Sequence, residues 1–221
     1  MKLAPEGYPF VLIFLLLTAI AVVLAFVTTP KIGHIAELMA LILVFLTCFM
    51  LYFFRDPDRI SPARADAFVS PADGRILLVR DVDEPVYCKG ARKQISIFMS
   101  PFNVHVNRAP CDGTVRDVQH HHGKYLAAYR DDASLKNENT EMALDGRFGT
   151  ILVRQVAGYI ARRTVCRVKP GEQLSQGQRF GIIKFSSRVD VYLPATCHVQ
   201  VKPGDRVLAG KTILAIMPPA P

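Results

Sequence analysis

Residues 10–29 read FVLIFLLLTAIAVVLAFVTT, and this uncharged stretch indicates the structure of the N-terminal part of the chain. A helix needs about 20 apolar residues to cross the hydrocarbon core of a bilayer. A second uncharged run, LMALILVFLTCFMLYFF, fills residues 38–54, and the connector at residues 30–33 (PKIG) is short. Residues 1–54 are therefore predicted to form a membrane anchor of two transmembrane helices arranged as a hairpin.

Two other structures fit this apolar front less well. A cleaved signal peptide has a basic leading segment and a small-residue cleavage site, and it is not followed by a second apolar run. A buried hairpin in a soluble protein keeps a polar outer face. Residues 10–29 are apolar on every face. A membrane anchor is therefore the interpretation that accounts for all of residues 1–54.

Charge is distributed unevenly along the 221 residues. The chain has 27 basic and 19 acidic residues and a net charge of +8, but only two of each sign lie in residues 1–54. A hydrophobic content of 50% excludes an intrinsically disordered chain. Residues 55–221 are numerous enough to bury a core of their own. We predict a neutral anchor followed by one basic, folded domain.

Basic residues flank the two apolar runs on the same side. Lys2 precedes the first run, and Arg55, Arg59 and Arg64 follow the second. The positive-inside rule then places both ends in the cytoplasm. We expect an anchor in the cell (inner) membrane with the folded domain facing the cytoplasm. The basic cluster of Arg162, Arg163, Arg167 and Lys169 has no interleaved aromatic residues, so we expect it to face anionic phospholipid and to bind no nucleic acid.

After residue 62 the pattern changes to short β-branched and aliphatic runs separated by Gly, Pro and Asp. This pattern predicts a mainly β domain, a sandwich or a barrel. The polar residues 131–140 are expected to form a loop. Four of the predicted strands are residues 75–79 (RILLV), 94–99 (QISIFM), 150–154 (TILVR) and 189–193 (VDVYL).

Two internal repeats sharpen the fold prediction. Residues 168–177 (VKPGEQLSQG) match residues 201–210 (VKPGDRVLAG), and residues 71–76 (PADGRI) match residues 110–115 (PCDGTV). Glycine in each turn supplies a positive φ between strands. The pattern resembles the hammerhead strands of biotinyl and lipoyl carrier domains, which implies lipoyl-like repeats. The lysine tripeptides that such carriers modify, Met-Lys-Met and Asp-Lys-Ala, do not occur in this sequence.

Cysteine and histidine patterns do not predict a metal site. The five cysteines are scattered and include no CxxC pair, which argues against a disulfide framework and a structural zinc site. Residues 120–122 are three consecutive histidines. Adjacent residues of a strand point to opposite faces, so three in a row make a poor single site. A solvated loop is expected there instead.

Three segments carry the side chains of an activated serine: Asp73 in residues 70–74 (SPADG), His105 in residues 99–110 (MSPFNVHVNRAP) and Ser186-Ser187 in residues 180–194 (FGIIKFSSRVDVYLP). An acid, a histidine and a hydroxyl are what such a nucleophile needs. From spacing alone, the aspartate equally fits a turn, the histidine a polar strand face, and the serine pair a turn.

Taken together, these segments resemble the phosphatidylserine decarboxylase family, especially its short, membrane-anchored, archaetidylserine decarboxylase-like type. The resemblance covers nearly the whole chain. It also includes residues 52–57 (YFFRDP), 137–140 (NENT) and 188–194 (RVDVYLP). It implies an enzyme that removes CO2 from phosphatidylserine and yields phosphatidylethanolamine. Archaetidylserine carries the same head group and remains open as a substrate.

The resemblance also implies a self-made cofactor. In this family a serine hydroxyl attacks the preceding peptide carbonyl, the resulting ester eliminates, and the new N-terminus becomes a pyruvoyl group that acts as an electron sink. By position the serine is Ser187, and the cut falls between Ser186 and Ser187. Asp73 resembles the acidic member of the self-cleavage triad, and His105 a histidine of the family's segment. Two fragments, 1–186 and 187–221, would remain as a heterodimer, with a higher oligomer left open.

Two positions depart from the family pattern. Ser186 stands where the family has glycine, and a glycine leaves its own carbonyl more open to attack by the next residue. Arg108 stands where the long forms carry a second histidine, so His105 alone would serve self-cleavage, decarboxylation or both. The alternatives are a non-processing relative, suggested by Ser186, and a lipoyl-like carrier or adaptor on a membrane hairpin.

Overall fold

The computed structural model of the chain describes residues 2–130, 132–159, 163–184 and 187–219. The chain forms two compact units, residues 1–58 and residues 59–221. The first unit contains the predicted anchor, and the second contains all three segments with candidate site residues.

Two long helices make up most of the first unit, α1 (Tyr8–Val27) and α2 (Pro30–Phe53). A 3₁₀ turn (Pro5–Gly7) precedes them, and a short antiparallel pair, β1 (Lys2–Leu3) with β2 (Arg55–Asp56), joins the two ends of the unit. Both helices are long and apolar enough to span a bilayer, with mean hydropathies of 3.2 and 2.3. The prediction of two apolar helices is confirmed, and they indicate membrane association.

The apolar side chains of these helices point mostly outward. Leu12, Leu16 and Phe45 are among many that are more than half exposed. Helix contacts instead use small residues: a Cβ at Gly33 would lie 3.0 Å from the carbonyl oxygen of Ala25. Small residues at a helix interface and apolar residues facing outward are typical of helices in lipid.

The second unit is mainly β, as predicted. Its elements are β3 (Ala67–Val69), β4 (Gly74–Glu84), β5 (Gly90–Met99), β6 (Val106–Arg108), β7 (Gly113–His121), α3 (Ala133–Lys136), β8 (Asn139–Gly146), β9 (Gly149–Ala157), β10 (Thr164–Cys166), β11 (Gln173–Leu174), β12 (Arg179–Ile183), β13 (Ser187–Pro194), β14 (His198–Val199), β15 (Arg206–Val207) and β16 (Ile213–Ile216).

The strands form one large antiparallel sheet and two small ones. The large sheet has the order β11-β7-β8-β9-β13-β5-β4-β15, and the small sheets have the orders β10-β12-β6 and β14-β16-β3. Two loop predictions are wrong. The span 131–140 contains helix α3 and the start of strand β8, and the first two histidines of the run 120–122 belong to strand β7.

Strand β13 lies at the centre of the large sheet. It is antiparallel to both β5 and β9. Val189, Val191 and Leu193 on one face join the apolar core, whereas Arg188 and Asp190 on the other face are equally buried. This alternation is the period of two that a pleated strand imposes.

The two long repeats fold alike at opposite edges of this sheet. Strand β11 of the first repeat pairs with β7, and strand β15 of the second pairs with β4. Gly171 and Gly204 occupy matching left-handed turns, at φ of 90° and 96°. Their amides donate to the backbone carbonyl oxygens of Val115 and Ile76, respectively. Val115 and Ile76 are themselves matching residues of the short repeat. The repeated sequences therefore encode repeated hydrogen bonds.

The buried charges on β13 are paired. Arg188 Nε lies 2.6 Å from Asp190 Oδ1, and both side chains are fully buried. Arg188 Nη2 also donates to Ser96 Oγ at 2.7 Å, and Ser134 Oγ donates to Asp190 Oδ2 at 2.5 Å. A buried ion pair is tolerated when its remaining polar atoms find such partners. The pair links β13 to β5 and to helix α3.

Removing Arg188 should leave Asp190 as an unpaired buried charge. We expect Arg188→Met to lower the free energy of unfolding by about 3–5 kcal/mol. The matched control is Arg116→Met, which breaks the exposed pair with Asp145 and should change it little. Chemical denaturation followed by circular dichroism measures both. Equal losses in the two variants would contradict the account.

Candidate active site

Ser187 is the first residue of strand β13 and is fully buried. It lies opposite Met99 of β5 and opposite Ala157 of β9, so both neighbouring strands hold its backbone. Its hydroxyl donates to Met99 Sδ at 3.3 Å. A thioether is a weak acceptor. The hydroxyl is therefore positioned by the sheet without being strongly engaged by its partner. Ser186, the other half of the predicted cleavage site, lies outside the described residues.

His105 comes directly before strand β6 and is also fully buried. Its Nδ1 lies 2.9 Å from the carbonyl oxygen of Asn103. Because a carbonyl only accepts, Nδ1 carries the proton and Nε2 is the basic nitrogen of the neutral ring. Its backbone oxygen accepts from the amide of Ile183, at the end of β12. The topology thus places the histidine beside the segment that leads into Ser187.

Asp73 lies in a buried turn before strand β4, and two residues donate hydrogen bonds to its carboxylate. Arg59 contacts it with both terminal nitrogens: Nη1 donates to Oδ1, and Nη2 donates to Oδ2 at 2.8 Å. The amide of Ala209 donates to Oδ1 at 2.8 Å. The Arg59 side chain is only 8% exposed. Arg59 was counted in the sequence as a membrane-flanking charge, but this cation is used inside the domain.

The turn of Asp73 has a counterpart in the other repeat. Asp112 occupies the matching position, and its Oδ1 accepts from the amide of Gln176 at 2.6 Å. This is the bond that Asp73 makes with Ala209 in the second repeat. The aspartate therefore has a turn-forming role wherever the motif occurs. The buried arginine contact distinguishes Asp73 from Asp112.

A buried amide pair joins the three predicted segments. Asn107 Oδ1 accepts from Gln155 Nε2 at 2.8 Å, and Asn107 Nδ2 lies 3.4 Å from the carbonyl oxygen of Pro71. The same nitrogen is 3.9 Å from Met99 Sδ, the partner of Ser187. Segments 70–74, 99–110 and 180–194 therefore meet around this cluster.

The sequence reading missed Gln155 and the role of Asn107. The available signal is the alternation in β9, where Gln155 follows Val153 on the core-facing side of the strand. A polar residue at an inward position needs a buried partner. Its partner, Asn107, lies on a different strand of a different sheet, and sequence spacing does not connect them.

The thiols of the second unit do not compete with the serine hydroxyl. Burial raises the pKa of Cys111 to about 12, and burial also raises the pKa values of Cys88, Cys166 and Cys197. The thiolate is the reactive form of cysteine. These thiols stay protonated at neutral pH and are therefore weak nucleophiles.

Comparison with known proteins gives one consistent result. The family model described as phosphatidylserine decarboxylase matches residues 46–215. Three similar relatives all carry the name phosphatidylserine decarboxylase proenzyme. They come from Chlorobaculum tepidum (42% identity, 97% of this chain and 97% of the relative), Ralstonia nicotianae (52%, 77% and 79%) and Geotalea uraniireducens (42%, 98% and 97%).

Asn107→Ala tests the buried amide pair. The substitution removes the 2.8 Å acceptor of Gln155 Nε2 and leaves that nitrogen only the long contact to the Val165 carbonyl oxygen, at 3.4 Å. A poorly satisfied buried polar group costs about 1–3 kcal/mol of unfolding free energy. Gln119→Ala is the control, because its amide bonds Asp117 at the exposed edge of β7. Thermal unfolding in detergent should separate the two variants clearly. A loss in Asn107→Ala no larger than that in the control would refute the structural role of the pair.

Proposed function

Because the chain belongs to the phosphatidylserine decarboxylase family, we propose that it makes its own catalytic group at Ser187 and uses it to decarboxylate phosphatidylserine. The protein is a carboxy-lyase of phospholipid biosynthesis whose product is phosphatidylethanolamine. The family match carries this conclusion, because residues 46–215 include Asp73, His105 and Ser187 together. The relatives' proenzyme names supply the inference of processing.

The proposed self-cleavage is an acyl shift followed by an elimination. Ser187 Oγ attacks the carbonyl carbon of residue 186, the C–N bond breaks, and the nitrogen leaves as the amine of residue 187. Loss of the Ser187 Cα proton then expels the ester oxygen as the new carboxylate of residue 186. Water releases the amine as ammonia and leaves a pyruvoyl group at the start of β13. The buried, weakly bonded hydroxyl of Ser187 supports the first step.

We assign the proton acceptor of this reaction to His105. With Nδ1 bonded to Asn103, the basic nitrogen is Nε2, and the β6–β12 pairing holds the backbone of His105 beside Ile183, four residues before Ser187. Asp73 is proposed as the acidic member of the same machinery. Its bonds to Arg59 and Ala209 keep a buried carboxylate at the turn that borders Asn107.

The buried start of β13 suits a pyruvoyl group. When present, such a group supplies an electron-withdrawing carbonyl that accepts the electron pair left behind by CO2. The chain's contribution is to bury that position between β5 and β9, with Met99 and Ala157 opposite it. Burial excludes water, and a dry site strengthens electrostatic stabilisation of the developing charge.

We propose that the two fragments, 1–186 and 187–221, stay together as a heterodimer after cleavage. The smaller one provides β13, the central strand of the large sheet, and β15 and β16, which pair with β4 and β3. These strands bond to strands of the larger fragment along their length. The cut therefore falls at the beginning of a strand that remains paired on both sides.

We propose that the anionic head group binds in a surface cavity whose lining includes Gly74, the residue after Asp73. It has a volume of about 370 Å³ and is lined by Gly74, Ser100, Asn103 and two arginines, Arg75 and Arg206. The arginines are cross-strand neighbours on β4 and β15. Paired guanidinium groups suit a phosphodiester, which they bind through several hydrogen bonds.

We place the anchor, residues 1–54, in the cell membrane with the catalytic domain, residues 55–221, on its cytoplasmic side. Lys2, Arg55 and Arg64 support this orientation by the positive-inside rule. We also retain the lipoyl-like origin of the repeats as a proposal, supported by their matching turns at Gly171 and Gly204. The membrane anchor keeps the domain at the surface that contains its lipid substrate.

Ser187→Ala tests the assignment of the nucleophile. Without the hydroxyl no acyl shift occurs, so the chain should remain uncut and should release no CO2 from phosphatidylserine vesicles. Ser186→Ala is the matched control, and it should still cleave and decarboxylate. Denaturing electrophoresis and trapped CO2 provide the two readouts. Cleavage of Ser187→Ala together with an uncut Ser186→Ala would move the nucleophile by one residue.

Asp73→Asn separates a role in self-cleavage from a role in the turn. If the charge of Asp73 supports proton transfer, Asp73→Asn should slow maturation at least tenfold. Asp112→Asn changes the matching turn of the other repeat and should mature normally. The fraction of cut chain over time after synthesis measures both. Equal slowing in the two variants would leave Asp73 with only the structural role that Asp112 shares.

A further inference from the structure

We propose that His120, His122 and Glu138 form a binding site for a zinc-type divalent metal ion. Nothing in the proposed self-cleavage or decarboxylation uses these residues. Each offers one ligand atom, and these three atoms all lie within 4.8 Å of one another. The site joins the end of β7 to the residue before β8.

Strand geometry brings the first two ligands together. His120 and His122 are two residues apart at the end of β7 and share a face, with ring centroids 5.0 Å apart. His121 points to the opposite face, where its Nε2 lies 3.2 Å from Glu141 Oε2. The alternation that argues against three consecutive ligands therefore selects the outer two and removes the middle one.

Neighbouring side chains orient the ligand atoms. His120 Nδ1 lies 3.0 Å from Thr140 Oγ1, while its Nε2 is turned toward Glu138 Oε1 at 3.7 Å. Tyr125 donates its hydroxyl proton to the other carboxylate oxygen, Glu138 Oε2, at 2.6 Å. Metal sites commonly hold their histidines and carboxylates through such outer hydrogen bonds. Here the two bonds hold His120 Nδ1 and Glu138 Oε2, and they leave His120 Nε2 and Glu138 Oε1 facing each other.

The donor set suits zinc. Two imidazoles and one carboxylate with one remaining position is a common arrangement for this ion. Ligand–metal distances of about 2.0–2.2 Å require ligand atoms roughly 3.3 Å apart. The ligand atoms now lie within 4.8 Å of one another, so they must move closer to bind the ion. The exposed side chains of His120 and His122 can do so by rotating, while the buried Glu138 stays in place.

The site faces the same side of the sheet as Ser187. His120 lies opposite Thr140, which lies opposite Gln155, whose amide bonds Asn107 in the buried cluster. The backbone carbonyl of Glu138 accepts from the amide of Ala157, and Ala157 lies opposite Ser187. Two strand spacings, roughly 10 Å, therefore separate Glu138 from the serine along the sheet.

Metal titration of the full-length protein in detergent tests the site. After dialysis against a chelator, the protein is titrated with Co²⁺, whose visible absorption is intense in four-coordinate sites, and then with Zn²⁺. We expect one Co²⁺ per chain with that absorption, displaced by one Zn²⁺. His122→Ala should weaken binding at least tenfold, and Glu138→Gln should do the same without removing a side chain of that shape.

His121→Ala is the matched control, since it removes the neighbouring histidine on the other face and should bind Co²⁺ like the parent. Equal weakening by His121→Ala and His122→Ala would overturn the proposal. So would parent-like binding in His122→Ala, or a thiolate charge-transfer band, which would place the ion on cysteine. These readouts do not depend on cleavage at Ser187 or on decarboxylation.

Discussion

The double ladder on strand β13 is the constraint on which the rest of the structure depends. Ser187 starts that strand opposite Met99 on one side and Ala157 on the other. A shift of one residue would turn Val189 and Val191 out of the core and turn Arg188 and Asp190 into it. The apolar face, the buried ion pair and the position of the serine hydroxyl therefore specify a single register. The reactive group is placed by the same pairing that holds the domain together.

A repeated scaffold surrounds that strand, and the two copies differ at the candidate site. Asp73 and Asp112 accept matching amide bonds from Ala209 and Gln176. Asp73 additionally binds the buried Arg59. The turn at Asp112 makes the shared amide bond. The turn at Asp73 makes that bond and also holds a buried carboxylate close to the Asn107 cluster.

Features carried by neighbouring residues were predictable from sequence. The apolar runs predicted α1 and α2, the alternating runs predicted strands such as β5 and β13, and the repeats predicted matching turns. Features that depend on distant partners were not. The Asn107–Gln155 pair joins two sheets, and Arg59, which follows the anchor in sequence, binds Asp73 inside the domain. The histidine run was misassigned to a loop because the pairing of β7 with β8 extends as far as His121 and Asn139.

Self-cleavage would make Ser187 the modified first residue of a separate chain. Intact mass spectrometry of the purified protein under denaturing conditions detects that change. We expect two species, residues 1–186 and residues 187–221, the smaller one lighter by one ammonia than a fragment with a free serine at its start. A single uncut chain of 24.5 kDa, or a small fragment that retains a free amine at residue 187, would contradict it.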